Sequence, residues 1–411
     1  MKPFSKQRLL PPSPVAAFSL KPLMFTACVG SMAMMAFVAV IGPMARLLGL
    51  QPWHVGTAVT AAGLAWMLMS RFWGARSDRL GRRRVLVTAL TGFAVSYAFL
   101  ALFMGMTLSL APAVPISFLG MVLGRTLVGA FYAAVPPVCA ALVADHVPPA
   151  QRARGMAAIG ASNAVGMVVG PGAAGLLAAW SLSVSLYVVA VLPVLALLAV
   201  WRFLPSDTGH EARRASALKL GDRRIRRAVC TAFVAMFSVM VAQVVVGFYA
   251  LDRLGLDPAG AARAAGIALA LVGAALFVSQ MILRRLDWPP LRFVRVGAVT
   301  GAVGFGAVLA ADTTLWLWLA YMVAASGMGW VYPSLSALAA NAVDSHEQGA
   351  AAGAVGAAQG LGAMAGPIIG TGLYQLSYGA PYGLAAVLLL IAALWPSARA
   401  EEAGERAAQT G

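Results

Sequence analysis

Residues 74–84 read GARSDRLGRRR, five arginines and one aspartate confined between two apolar runs. A carboxylate at Asp78, with Arg79, Arg82 and Arg83 close behind it, can form charge-assisted hydrogen bonds and is further favoured by a following helix N-terminus. Gly74 permits close helix approach, and Gly81 tolerates the backbone of a tight turn. A second acid–base pairing stands in ALVADHVPPAQRARG, where Asp145 is followed by Arg152. Isolated polar groups interrupt otherwise apolar stretches at Arg125, Asn163, Gln243, Gln280 and Gln359, with Arg46 at the end of the first stretch. Tyr132, Tyr249, Tyr321, Tyr332, Tyr374 and Trp330 add amphipathic surface of the kind that lines ligand pockets. Taken singly, each of these reads more simply as packing; together they suit a neutral or anionic polar molecule.

The absences narrow the chemistry further. There is no nucleotide-binding glycine loop with its lysine and no HExxH, and none of His54, His146, His210 and His346 falls in the middle of an apolar run. Cys28, Cys139 and Cys230 are far apart, with neither metal-ligand spacing nor a disulfide framework. No enzyme activity, cofactor or metal is expected. All 14 acidic residues lie in tails, loops or helix ends.

The elements that must position these groups are apolar helices. Of the 411 residues 61% are hydrophobic and only 11% charged, against about 25% in soluble folds. Runs of roughly 20 apolar residues, each able to cross ~30 Å of hydrocarbon as a helix, are placed at 23–49, 54–73, 85–106, 115–143, 155–179, 182–204, 228–250, 264–283, 293–311, 314–341, 348–375 and 380–396. Within lipid a segment must satisfy its own backbone, which favours helices. The predicted fold is an all-α membrane protein with twelve transmembrane helices.

The net charge of +16 does not point to nucleic acid, because all but four of the 30 lysines and arginines (Arg46, Arg125, Arg253 and Arg263) fall in tails or alternate loops on one side. That asymmetry places those loops, and both termini, in the cytoplasm, against an anionic lipid surface. An arginine at membrane depth costs at least ~2.5 kcal/mol, so Arg125 must face a cavity or a partner. Residues 1–22, basic but without an apolar core and cleavage site, read as a cytoplasmic tail rather than a signal peptide. Residues 397–411 form a second tail.

Six runs precede and six follow the polar, basic segment 205–227, which divides the chain into lobes at 23–204 and 228–396. The halves are alike in sequence. Shifted by 196 positions, GASNAVGMVVGPGAAG lies over GAAQGLGAMAGPIIGT, so that Gly160, Gly166, Gly170 and Pro171 meet Gly356, Gly362, Gly366 and Pro367, and Asn163 meets Gln359. A repeated six-helix unit points to transporters that rock two lobes about a midplane site.

GARSDRLGRRRVL after the second run, the repeat and the basic central segment resemble the major facilitator superfamily across residues 23–396. Gly74, Asp78, Arg79, Gly81, Arg82 and Arg83 match its loop signature in full. The resemblance implies that this loop, with Asp145 and Arg152, is a latch between lobes that closes the cytoplasmic side. Gly166, Gly170 and Pro171 are similar to the antiporter signature of drug–proton exporters, whose later paired glycines are reduced here to Gly175. Arg125 matches the fourth-helix arginine associated with proton coupling, although the usual glutamine three residues on is Val128.

The expected function is therefore a proton-coupled exporter of a small neutral or anionic metabolite or drug, a siderophore being one candidate. It would work as a monomer in a bacterial cytoplasmic membrane. The first half also resembles tetracycline exporters, but the lack of intramembrane acids argues against tetracycline and cationic drugs as native cargo. A gradient-driven importer of a small organic anion is the alternative, and sodium could replace the proton.

Overall fold

A computed structural model describes residues 18–204, 222–283, 285–344 and 347–395. The expected tails up to residue 17 and beyond 396, with most of the linker, lie outside the described residues. Every described element is helical: α1 (Lys21–Leu47), α2 (Pro52–Leu80), α3 (Arg82–Leu110), α4 (Val114–Tyr132), α5 (Val135–His146), α6 (Pro149–Leu177) and α7 (Leu182–Phe203) in the first half of the chain. The second half contains α8 (Arg226–Asp252), α9 (Pro258–Leu283), α10 (Pro290–Val308), α11 (Thr314–Ala340), α12 (Gln348–Leu376) and α13 (Ala380–Leu394).

Ten stretches, with α4 and α5 together counting as one, are long and apolar enough to cross a membrane. Outside that set are α2, which carries Arg71, Arg76, Asp78 and Arg79, and the 15-residue α13. Proline stands in the opening turn of α1, α2, α4, α5, α6, α10 and α13, where its missing N–H costs no helix bond.

The fourth apolar run departs from the single helix expected of it. Pro136 and Pro137 follow one another, each removing a helix donor, and the chain is interrupted at Ala133–Ala134. The matching α11 holds only Pro333 and runs through unbroken. The charged turn is also shorter than its sequence suggests. Helix α2 continues through the motif to Leu80, α3 starts at Arg82, and Gly81 alone turns the chain at φ +91°, a conformation that glycine adopts without penalty.

Small residues set the packing. Close helix approach in an apolar bundle needs small side chains, and α6 lies against α1 through Gly166 and Gly170. A Cβ on Gly166 would overlap the Cys28 carbonyl and Ser31 Oγ, and one on Gly170 would collide with the Met32 backbone. In the second half, α12 meets α8 in the same way, with Gly362 against Phe233 and Phe237 and Gly366 against Phe237 and Met240. The internal repeat thus appears as a repeated packing. Gly160 and Gly356 belong to the same sequence register, but a Cβ added at either would meet open space.

Helix ends sort onto two faces. At the basic end, Phe18 stacks on His146 with centroids 4.3 Å apart, Arg82 reaches Asp145, and Arg83 Nη2 donates to the Trp201 carbonyl at 2.6 Å. The second half has Arg224 on Glu347 and Arg226 over Trp395 at this end. At the opposite end the halves join. Gly42 on α1 packs on the Gly247–Phe248 backbone of α8, at 3.1–3.3 Å from an added Cβ. Helix α2 meets α12, where a Cβ on Gly56 would overlap Thr371 Oγ1 and lie 2.6 Å from the Pro367 carbonyl oxygen. Helix α6 meets α9, where a Cβ on Gly266 would lie 2.6 Å from the Pro171 carbonyl oxygen and 2.8 Å from Gly175 Cα.

Candidate functional site

Arg82 is the centre of the arginine motif. It is 8% exposed and opens α3 beside Arg83 and Arg84, at the positive end of the helix dipole where cations are disfavoured. Two carboxylates offset that cost. Arg82 Nη1 donates to Asp78 Oδ1 across the Gly81 turn, and Arg82 Nε donates to Asp145 Oδ2 at 3.0 Å. Ser77 completes the site, accepting from Arg82 Nη1 at 2.8 Å and donating to the Gly74 carbonyl at 2.8 Å. Sequence reasoning missed Ser77, although its place one residue before the motif aspartate was a signal.

The other motif residues separate from this cluster. Arg79 is exposed. Arg83 serves the end of α7, and Arg152 Nε donates to the Val147 carbonyl at 3.0 Å rather than meeting Asp145. Gly74 has only Pro137 Cβ, 3.9 Å from an added Cβ, which is ordinary contact; close approach is not what this arrangement asks of it. Asp78, Arg82 and Asp145 all belong to the first half, so their ion pairs do not bridge the halves here.

An ion pair that does bridge them lies at the opposite end. Arg46 Nη2, in the last turn of α1, donates to Asp252 Oδ2 at the end of α8 at 2.5 Å. Tyr374 of α12 donates its hydroxyl to the same oxygen at 3.0 Å. This clasp was not foreseen, although both residues end 27-residue helices that occupy equivalent places in the repeat.

Arg125, in α4, is 2% exposed. Its guanidinium lies 4.4 Å from the centroid of the Phe37 ring, a cation–π geometry. Its Nε and Nη1 find no hydrogen-bond partner. The repeat superposes Tyr321 on Arg125, and there the polar group is satisfied: the Tyr321 hydroxyl donates to the Ala242 carbonyl at 2.8 Å and lies 2.7 Å from Tyr382 Oη. Tyr321 therefore knits α8, α11 and α13 together.

The remaining candidates are scattered. Gln243, next to Ala242, keeps a buried and unpartnered Oε1. Tyr332 Oη lies 3.9 Å from Met236 Sδ, Asn163 reaches Met167 Sδ at 3.6 Å, and Gln359 is half-buried. No cluster of three or more His, Cys, Asp or Glu suited to a metal occurs among the described residues.

Comparisons with known proteins agree with the geometry. A model of the Major Facilitator Superfamily matches residues 23–363 and 322–411. The tetracycline resistance protein, class C, of Escherichia coli is 29% identical over 349 residues, covering 81% of this chain and 83% of that protein. Multidrug resistance protein 2 of Bacillus subtilis is 22% identical over 360 residues, covering 82% and 84%. Among solved structures, the human organic anion transporter TETRAN superposes with a TM-score of 0.64 at 21% identity, covering 91% of this chain and 97% of that one. The paired helix packing, the acid–arginine cluster beside the Gly81 turn and the match across nearly the whole chain lead to one conclusion: the protein belongs to the Major Facilitator Superfamily of membrane transporters.

Proposed function

We propose that the protein exports a small neutral or anionic metabolite or drug in exchange for protons, by alternating access between lobes 23–204 and 228–396. In this reading twelve helices span a bacterial inner membrane, both termini and the linker 205–227 are cytoplasmic, and one chain is the working unit. The observation that carries the proposal is the asymmetry between the two ends. The halves are clasped by Arg46–Asp252 and by glycine seams at the end poor in basic loops, while at the basic end the described ion pairs of Arg82 join residues of the first half and Arg224 joins Glu347 of the second. Under the positive-inside rule this is an arrangement closed to the outside.

Export is favoured by relatives named for resistance to tetracycline and to multiple drugs, and by the Gly166–Gly170–Pro171–Gly175 motif on α6. Tetracycline itself is disfavoured, since the charged group buried at mid-depth is the cation Arg125. The gate at the cytoplasmic side is assigned to Gly74, Asp78, Arg79, Gly81, Arg82, Arg83, Asp145 and Arg152. In the opposite conformation Asp78 and Asp145 would exchange partners with the other lobe. Arg125 would act on proton or cargo, with Asn163, Gln243, Gln359 and Tyr332 supplying neutral hydrogen bonds.

The direct test uses acidified inside-out vesicles with a luminal pH probe and a panel of cations, tetracyclines, sugars, organic acids and iron-free siderophores. Export coupled to protons gives compound-dependent alkalinisation of the lumen, absent from vesicles lacking the protein. Uptake by right-side-out vesicles that is driven by the same gradient would instead establish import. Arg125→Ala is expected to change the pH dependence or the cargo affinity; a folded variant with both unchanged removes Arg125 from the mechanism.

A further inference from the structure

A pocket of about 380 Å³ opens beside the Arg46–Asp252 clasp. Arg46, Gln51 and Trp53 line it from the first half, and Tyr374, Gln375 and Tyr378 from the second. Trp53 and Tyr378 are 39% and 45% exposed. Trp53 stacks on His54 with ring centroids 3.9 Å apart, and Tyr378 lies beside Tyr374 at 5.4 Å, so both rings are held in place before any ligand arrives.

The same molecule shows what its arginines do when acids are near. Arg82 holds two carboxylates, Asp78 and Asp145. Arg224 also holds two, Asp222 and Glu347. Arg46 holds one, Asp252, through Nη2, while its Nη1 makes no hydrogen bond among the described residues and its side chain is 31% exposed. A guanidinium carries donors along two edges and can meet a carboxylate on each. Arg46 is thus a half-used fork at the wall of a pocket furnished with two aromatic rings and two carboxamides.

We propose that this pocket binds a small organic carboxylate with a planar or aromatic body. One carboxylate oxygen accepts from Arg46 Nη1, so that Arg46 holds two negative charges as Arg82 does at the other end. The body of the ligand contacts Trp53 and Tyr378, and Gln51 and Gln375 offer amide hydrogen bonds to its polar substituents. Because the walls come from both halves, the site is complete only while this end is closed. A ligand that binds one conformation stabilises it by mass action; a carboxylate arriving from this face therefore holds the clasp shut and slows opening. The proposal depends neither on the identity of the cargo nor on the direction of transport.

The experiment is a binding titration on the purified full-length protein with benzoate, its uncharged analogue benzamide and the cation benzylamine. Thermal unfolding and calorimetry supply the readouts. Benzoate is expected to bind saturably and raise the unfolding midpoint, while benzamide and benzylamine do neither. Trp53→Ala should weaken benzoate at least ~tenfold, and Arg46→Gln should abolish it. Should Arg46→Gln fail to fold, Gln375→Glu tests the same point, since its own carboxylate would occupy Arg46 and exclude benzoate. Spin labels at Leu47 and Leu376, both exposed at this end, should report a larger closed population with benzoate present. Equal responses to benzoate and benzamide, no saturable binding, or undiminished binding in Trp53→Ala and Gln375→Glu would each overturn the site. These readouts need no transport, so a negative vesicle assay and a negative titration are separable results.

Discussion

The two ends of the molecule use the same chemistry for different purposes. At the basic end Arg82 is almost wholly buried, with a side chain 9% exposed, and holds two acids of its own half. At the other end the Arg46 side chain is 31% exposed and meets one acid from the opposite half. A buried pair is costly to split because the charge left behind is unpaired. A partly solvated pair loses little, since water takes over its partners. Arg82 is therefore costly to separate from its acids unless replacement carboxylates are presented, whereas Arg46 and Asp252 part at little cost. The contrast teaches that a charge cluster's role is set by which bodies it joins as much as by which residues it contains.

The widest separation of the two ends should come from Gly56→Val. A β-branched side chain there must displace Thr371 and the Pro367 carbonyl, and overpacking of that kind costs about 1–3 kcal/mol. The opening equilibrium is expected to move by roughly 5- to 150-fold toward the state open at this end, seen as a longer spin-label distance and slowed transport. An unchanged distance would mean that this seam does not control closure.

Next in size is Asp145→Asn, which leaves Arg82 buried with a single carboxylate. The expected result is a loss of about 1–3 kcal/mol in stability, measured by thermal unfolding, with reduced transport and an unchanged distance at the Arg46 end. If that distance also changes, the two ends are not independent.

Asp252→Asn should cost about 1 kcal/mol of closure, a several-fold shift. The exchanged pair Arg46→Asp with Asp252→Arg should recover part of it in a double-mutant cycle. No coupling energy in that cycle would show the clasp to be incidental.

The smallest effect is expected where the linker joins the second half. The Arg224 guanidinium beside Asp222 holds that carboxyl below its ordinary value. Asp222 is thus ionised to lower pH in the folded protein than in the unfolded chain, so its contribution is complete above about pH 4 and is lost as pH falls further. Asp222→Asn should remove a slight acid-side dependence of the unfolding midpoint and leave the value at neutral pH nearly unchanged. A large drop at neutral pH would give this surface cluster a structural weight that its solvation argues against.

Much of this architecture is legible in the sequence because lipid leaves few options: an apolar run of sufficient length must be helical, and Gly-Pro registers repeated at a fixed shift betray a repeated packing. The break at Ala133–Ala134 was less visible, because tandem prolines can either kink a helix or divide it. The arginine motif was readable as a cluster, but its partners were not. Whether Asp145 meets Arg82 or Arg152 depends on helix rotation, which periodicity does not supply in segments apolar on all sides. Arg46 and Asp252 were noticed separately near one face, and only the assembled halves bring them together. Tyr321 was indistinguishable from a cavity residue until Tyr382 and the Ala242 carbonyl were found to absorb its hydroxyl.

The seams at Gly56 and Gly266 have a mechanical consequence. Each presses a bare backbone against a proline carbonyl of the other half, Pro367 in one case and Pro171 in the other. At these two glycines the approach is too close for long side chains to interlock, although Val168 fills the space beside Gly273 on the same α6–α9 seam. Interlocked side chains would have to disengage rotamer by rotamer before one body could turn against another, but a glycine facing a carbonyl can roll with little change in what it touches. Two smooth contacts fix a line, as two bearings fix an axle. Were the two lobes to rock as proposed, that line would be the expected axis of the rotation.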